Sequence, residues 1–286
     1  VRIIDILIKS NVFISVAAVA LTIETQIQLG MTPQWHPYVL LIFFATLVEY
    51  NLHRLITVLT NKEALASDKH RWVIEHRALF YALVGLSIVG FLITTLQAQP
   101  IVLLALAPFA VITLLYSFPI PITSRGVTRF RQIPYLKIFL IAITWSSISI
   151  FLPVSQTQQV FSKPHIALIF IERVLFVFAI TIPFDIRDMG TDKKYGLKTI
   201  PLLIGERLSI RLSIASLCAV LILSCIHYMY THQWGIAIAL IVSTTTTMLC
   251  IGSRRVQRLR HYHYGVLDGT MILQGALVLA AQFSIQ

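Results

Sequence analysis

Nine apolar runs, each close to the length that crosses a lipid bilayer, leave this chain few folds to adopt. They fall at about 3–24, 35–56, 77–97, 101–119, 135–153, 166–184, 208–230, 234–252 and 266–284. A helix needs roughly 17–25 residues to cross the hydrocarbon core. A membrane β-barrel would show short alternating segments instead. The continuous runs therefore predict an all-α fold, a polytopic membrane helical bundle of nine transmembrane helices. Only 12% of the residues are charged and the mean hydropathy is +0.80, against about 25% charged in a soluble domain. A soluble core could not hide that much apolar surface. No linker, repeat or low-complexity tract divides residues 1–286, which read as a single integral membrane domain. The first run lacks a small-residue cleavage signature and reads as a spanning helix rather than a signal peptide.

The connections alternate in charge. Lys62, Lys69, Arg71 and Arg77 follow the second run, and Arg125, Arg129, Arg131 and Lys137 surround the fourth-to-fifth connection. Arg187, Lys193, Lys194, Lys198, Arg207 and Arg211 follow the sixth run, and Arg254, Arg255, Arg258 and Arg260 follow the eighth. The opposite connections near 25–34, 98–100 and 231–233 have no Lys or Arg, and 154–165 has only Lys163. Cations stay on the cytoplasmic side of a membrane. The pattern thus predicts a multi-pass cell-membrane protein with a cytoplasmic N-terminus and its C-terminus on the opposite face. It also accounts for the net charge of +11 by contact with anionic membrane lipids. The basic residues carry no recognition motif, so no nucleic-acid partner is expected. Cys218, Cys225 and Cys250 lie in apolar runs without metal-ligand spacing and read as packing residues.

Acids are scarce, 12 in 286 residues, yet Asp185, Asp188 and Asp192 stand together in DIRDMGTD, just past the sixth run. If the helix continues through them, spacings of three and four direct all three toward one region. Oxygen ligands at a membrane boundary suit Mg²⁺, a hard cation that bridges to phosphate. Arg187, Lys193, Lys194 and Lys198 would favour a diphosphate beside it. Gly190 and Gly196 offer backbone freedom where the helix ends, and Pro183 would free a carbonyl within the span. The plainer alternative is a hydrated charged loop after a kinked helix.

The segment Asp185, Asp188, Asp192, Gly196, Thr199, Pro201 and Gly205 resembles the second Asp-rich motif of the UbiA superfamily of intramembrane prenyltransferases. LYSFPIP at 115–121, with Tyr116, Arg129 and Lys137, is similar to that family's fourth-to-fifth helix region, and Tyr262 and Asp268 to features of its last helix. The resemblance implies a nine-helix fold, Mg²⁺ held by Asp185, Asp188 and Asp192, and transfer of a prenyl group. The donor would be an isoprenyl diphosphate and the acceptor a hydrophobic or aromatic molecule of a lipid pathway. It also places Tyr116 and Asp268 in the pocket.

The family's first Asp-rich motif would lie at the end of the second run, where this chain reads EYNLHRLITVL. Asn51 is present, but Leu52, Leu55 and Leu59 occupy the carboxylate positions, and leucine ligates no cation. Three accounts stay open. One metal-binding side could suffice, helped by Asn51, His53 and Arg54 as diphosphate contacts, with Asp68 and Glu75 as replacement acids and Glu49 spaced to pair with His53 on one helical face. The substrates could differ from the usual ones. Or a noncatalytic lipid-binding bundle could retain the fold. A transporter ranks lower, because intramembrane polarity reads as sparse and no paired broken segments are found. His70, His76, His261 and His263 read as ordinary polar residues rather than a zinc set.

Overall fold

The computed structural model describes residues 2–60, 68–117, 120–123, 126–128 and 133–283. In chain order the helices are α1 (Arg2–Lys9), α2 (Val12–Gln28), α3 (Tyr38–Thr60), α4 (Asp68–Glu75), α5 (Arg77–Gln97) and α6 (Pro100–Ser117). A hairpin of β1 (Ile120–Thr123) and β2 (Gly126–Thr128) follows, pairing Ile120 with Thr128 and Thr123 with Gly126. The chain continues as α7 (Leu136–Ser155), α8 (Lys163–Lys194), α9 (Ile200–Ile204), α10 (Glu206–Tyr230), α11 (Trp234–Gly252) and α12 (Arg254–Gln257). A π-helical turn, Tyr262–Leu267, leads into α13 (Asp268–Phe283).

The architecture is an all-α polytopic membrane bundle. Among the described residues, seven helices are long and apolar enough to cross a membrane, or eight if the bent pair α1–α2 is one span. Two of the nine apolar runs account for the difference. The first breaks by 79° between Lys9 and Val12, where Asn11 adopts φ 63°, a left-handed conformation that asparagine tolerates better than most residues. The fourth supplies a shorter apolar helix, Pro100–Leu115.

Helix α2 packs against α3, α7 and α13, while α8 packs against α7 and α10. Small residues let these backbones approach. A methyl group at Gly275 of α13 would lie 2.5 Å from the Ala20 carbonyl oxygen of α2. The interior joins Phe176, Val177 and Ile180 of α8 to Leu21, Ile138, Leu217 and Leu267 from four other segments.

Helix α8 is the longest element and runs ten residues past the apolar run that predicts it. Pro183 sits inside it and has no N–H to offer the Ala179 carbonyl. The Ser213 hydroxyl of α10 donates to that carbonyl instead, at 2.7 Å, so the helix continues without an orphaned acceptor. It stops at Gly196, whose φ is +67°. There Leu197 N–H donates to Asp192 O at 2.9 Å and Gly196 N–H to Lys193 O at 3.1 Å, the paired bonds of a Schellman cap.

The sequence reading of sparse intramembrane polarity does not hold. Glu24, Glu172, Arg173 and His227 are all buried and meet at the end of the bundle away from Asp185. They come from α2, α8 and α10, too far apart in sequence to be read as a cluster.

Ser213→Ala should leave the Ala179 carbonyl unpaired and cost about 1–3 kcal/mol, seen as a lower unfolding midpoint in detergent. Adding Pro183→Ala, which restores a backbone donor, should recover most of that loss.

Candidate active site

Because α8 stays helical to Lys194, Asp185, Asp188 and Asp192 project from one side of its last three turns. The partner surface comes from α7. Tyr135 N–H donates to Lys198 O at 2.9 Å, tying the start of α7 to the loop after α8. This sets Lys137 Nζ 2.7 Å from Asp185 and 3.7 Å from Asp192. Both carboxylates are buried and converge on a single positive charge. Asp188 accepts two bonds from the Arg187 guanidinium, at 2.7 and 3.0 Å. The Arg187 guanidinium also lies 4.9 Å from the Tyr264 ring centre.

These groups open onto a cavity of about 400 Å³ between α2, α3, α4, α6, α7, α8 and α13. Its polar end carries Glu49, His53, Arg54, Lys69, His70, Lys137, Asp185, Arg187, Asp188 and Asp268. Its other walls are apolar, with Ile14, Leu140, Ile141, Trp145, Val177, Ile180 and Met271. Such a cavity fits an amphiphile with a charged head and a hydrocarbon tail.

The sequence-expected site residues divide into three groups. Asp185, Asp188, His53, Arg54, Lys137 and Asp268 line the cavity, as does Glu49. Asp192 stands behind them, reaching the site through Lys137. Lys193, Lys194 and Lys198 are exposed and do not line it. Arg129 lies outside the described residues, as does the side chain of Tyr116.

Asn51 and Arg54 do something the sequence did not indicate. Asn51 accepts from Asn11 Nδ2 at 3.0 Å and donates to Ser10 O at 3.3 Å. The Arg54 guanidinium donates to Lys9 O and to Asn11 Oδ1. Together they hold the α1–α2 break, and Asn51 is fully buried there rather than lining the cavity. Of the leucines in the carboxylate positions, Leu55 packs against the Trp72, Val73 and Phe80 cluster of α4 and α5, while Leu59 is 72% exposed. Asp68 and Glu75 turn outward to Arg71, at 2.5 and 3.6 Å.

What α4 contributes instead is Lys69, whose Nζ lies 3.0 Å from the centre of the Tyr264 ring. Burial, reinforced by the Arg54 charge, pushes this ammonium well below the usual lysine range, with Asp268 acting in the opposite direction. Lys69, His70 and Tyr264 were missed because nothing local to them signals a site. Only the return of α4 over the cavity brings them in.

By donor chemistry the α8 side fits a hard cation. Asp185 and Asp192 already attract one positive charge between them, and all the donors are carboxylate oxygens. The α3 side does not fit one. Among the described residues no three His, Cys, Asp or Glu side chains stand close enough together to hold one metal ion, and this includes the α8 aspartates, since Asp185 and Asp192 share Lys137 while Asp188 pairs with Arg187.

Fold and site define an intramembrane helical bundle with an acid-bearing cavity. The chain belongs to the UbiA prenyltransferase family, whose model matches residues 71–262. That match begins beyond Asn51–Leu59, where the acids are replaced. A search of curated proteins returned no match. Among solved structures, the chain is similar to a UbiA homologue from Archaeoglobus fulgidus bound to GPP and Mg²⁺, at 16% identity and TM-score 0.60, covering 96% of this chain and 99% of that one. It is also similar to the apo form of a UbiA homologue from Aeropyrum pernix K1, at 16% identity and TM-score 0.60, covering 94% and 97%. A digeranylgeranylglyceryl phosphate synthase gives 14% identity and TM-score 0.54, with 96% of each chain covered. At these identities the likeness establishes the fold.

Lys137→Met should leave two buried carboxylates without their counter-charge and destabilise the protein by about 3 kcal/mol. Equilibrium unfolding in detergent checks this, and adding Asp185→Asn should return part of the loss by removing one of the stranded charges.

Proposed function

We propose that this protein is a Mg²⁺-dependent membrane prenyltransferase. It takes an isoprenyl diphosphate as donor and a hydrophobic or aromatic molecule as acceptor. The observation that carries the reading is one cavity whose polar end holds Asp185, Asp188, Lys137 and Arg187 and which also has apolar walls from Ile14, Leu140, Val177, Ile180 and Met271. The A. fulgidus homologue's complexes with GPP and Mg²⁺ and with DMAPP and Mg²⁺ support it.

In this reading the donor's diphosphate occupies the polar end and its chain lies along Val177, Ile180, Trp145 and Met271. Mg²⁺ would be held by Asp185 and Asp188, which line the cavity, with Asp192 behind them on Lys137, and would supply positive charge against the diphosphate. Arg187 and Lys137 add donors for the departing oxygen. As the C–O bond breaks, its electron pair leaves with the diphosphate, and the acceptor attacks the allylic carbon. The apolar wall keeps water from that cation. His53, at the same mouth, is the candidate to take the proton the acceptor releases. Arg54 contributes charge while holding the α1–α2 break, and Lys69 brings a further nitrogen donor to the side where Leu52, Leu55 and Leu59 replace the expected acids. Lys193, Lys194, Lys198 and Arg129 would act earlier, drawing the anionic head toward the membrane surface.

In this reading the polar end and the N-terminus lie in the cytoplasm and the C-terminus opposite, a topology supported by the cation-rich connections. That parity needs nine crossings, α1–α2 counting as one and α6 as another.

A second reading, a noncatalytic lipid-binding bundle, is favoured by Leu55, which packs α3 against α4 and α5 where a ligand would stand. Purified protein should bind an isoprenyl diphosphate with Mg²⁺ and lose at least tenfold affinity in Asp188→Asn. Equal binding without Mg²⁺ and in that variant would remove the proposed site. Product formed from a panel of acceptors by the parent protein, and absent in Asp188→Asn, would remove the second reading.

A further inference from the structure

We infer that the end of the bundle opposite the cavity contains a proton-binding site, a hydrogen-bonded chain that holds one proton more than its neutral histidines and carboxylate would carry. The chain runs from the Gln28 carbonyl through His165 and His227 to Glu172. His165 Nε2 lies 2.9 Å from Gln28 O, His165 Nδ1 lies 2.7 Å from His227 Nε2, and His227 Nδ1 lies 3.0 Å from Glu172 Oε1. It is separate from the acidic cavity, since Asp185 lies thirteen positions along α8 from Glu172, roughly 20 Å of helix. The inference does not depend on the enzymatic reading.

Counting protons assigns the site. A backbone carbonyl only accepts, so His165 Nε2 bears a hydrogen. The 2.7 Å contact between two ring nitrogens needs one hydrogen between them, because two facing lone pairs repel. The contact between His227 Nδ1 and a carboxylate oxygen needs another for the same reason. Three contacts therefore require three protons, while two neutral imidazoles and an ionised carboxylate supply two. The third can reside as imidazolium on His165, as imidazolium on His227, or as the acid form of Glu172. Every arrangement completes the same three bonds and leaves the trio electrically neutral.

The surroundings favour that neutrality. The other charges facing the chain already balance, since Arg173 of α8 pairs with Glu24 of α2 at 2.9 Å. Arg173 also donates to Leu21 O at 2.8 Å, and Gln274 of α13 donates to Glu24 at 2.9 Å. Tyr228 of α10 packs its ring against His227. Without the extra proton this buried region would carry a net negative charge inside the membrane, which is costly. The bound proton ties together the C-terminus of α2, the N-terminal half of α8 and the C-terminal end of α10. His165 is only partly buried, which leaves the chain one approach from the surface.

In the unfolded chain above pH ~7 these residues hold two protons, since free histidine titrates near ~6.5. The native state then binds one more than the unfolded state, so stability falls as pH rises. One proton corresponds to a tenfold loss in the folding constant per pH unit.

Glu172→Gln tests this, because a glutamine amide donates to the His227 Nδ1 lone pair and closes the chain without the extra proton. Unfolding equilibria of the full chain in detergent, from pH 7 to 9, should show the parent's folding constant falling up to tenfold more per pH unit than the variant's. The two should be close at pH 7. An identical pH slope in both would overturn the proposal. A variant that fails to fold is covered by the parent protein labelled with ¹⁵N-histidine and ¹³C-glutamate. At pH 8 its spectra should show either an imidazolium or a protonated carboxyl in this trio. Two neutral imidazoles beside an ionised Glu172 would equally overturn it.

Discussion

Helix α8 stays intact through Pro183 because the carbonyl that proline leaves bare finds a donor on another helix. The Ser213 hydroxyl of α10 takes the place of the missing N–H at Ala179, and in a bilayer no water would do so. With that bond made, one rod carries both chemically dense regions. Glu172 and Arg173 lie toward its start, and Asp185, Asp188 and Asp192 toward its end. The Schellman cap at Gly196 ends it soon after the last aspartate. Had the helix unwound at Pro183, the three carboxylates would have no common face.

The acidic site takes its form from what opposes α8. Docking of Tyr135 on Lys198 brings the Lys137 ammonium between Asp185 and Asp192. Opposite, the end of α3 has exchanged ligation for structure. Asn51 and Arg54 are engaged with Ser10, Asn11 and Lys9, holding α1 at 79° to α2, and Leu55 packs the α4–α5 corner. The packing that leucine permits is also what brings α4, and with it Lys69, over the cavity. That side of the cavity is thus lined by Glu49, His53, Arg54 and Lys69 rather than by acids at positions 52, 55 and 59.

The membrane bundle was legible because each run announces its own length and apolarity. Seven of the nine runs are helices long enough to span; the other two are the α1–α2 pair, broken at Asn11, a single residue with positive φ inside an apolar stretch, and the shorter helix Pro100–Leu115. The three aspartates were legible because they are close in sequence on one helix. His53, Arg54 and Lys137 could be named from their types and line the cavity, but the bonds that Asn51 and Arg54 make to the α1–α2 break could not be read from the sequence. Lys69 and Tyr264 were invisible, being 195 residues apart in the chain and joined only by the packing of α4 near α13.

The sequence by itself therefore determined the solvent of this protein, the helical character of its spans and the place of its acidic motif. Those depend on composition and on spacings within one helix, where geometry follows from 1.5 Å and 100° per residue. The tertiary structure alone decided which charges face each other. It set Lys137 against Asp185 and joined the Glu24–Arg173 pair to the relay of His165, His227 and Glu172. Electrostatic partnership depends on distances of a few ångströms between helices, and those distances are set by side-chain packing that no single segment encodes.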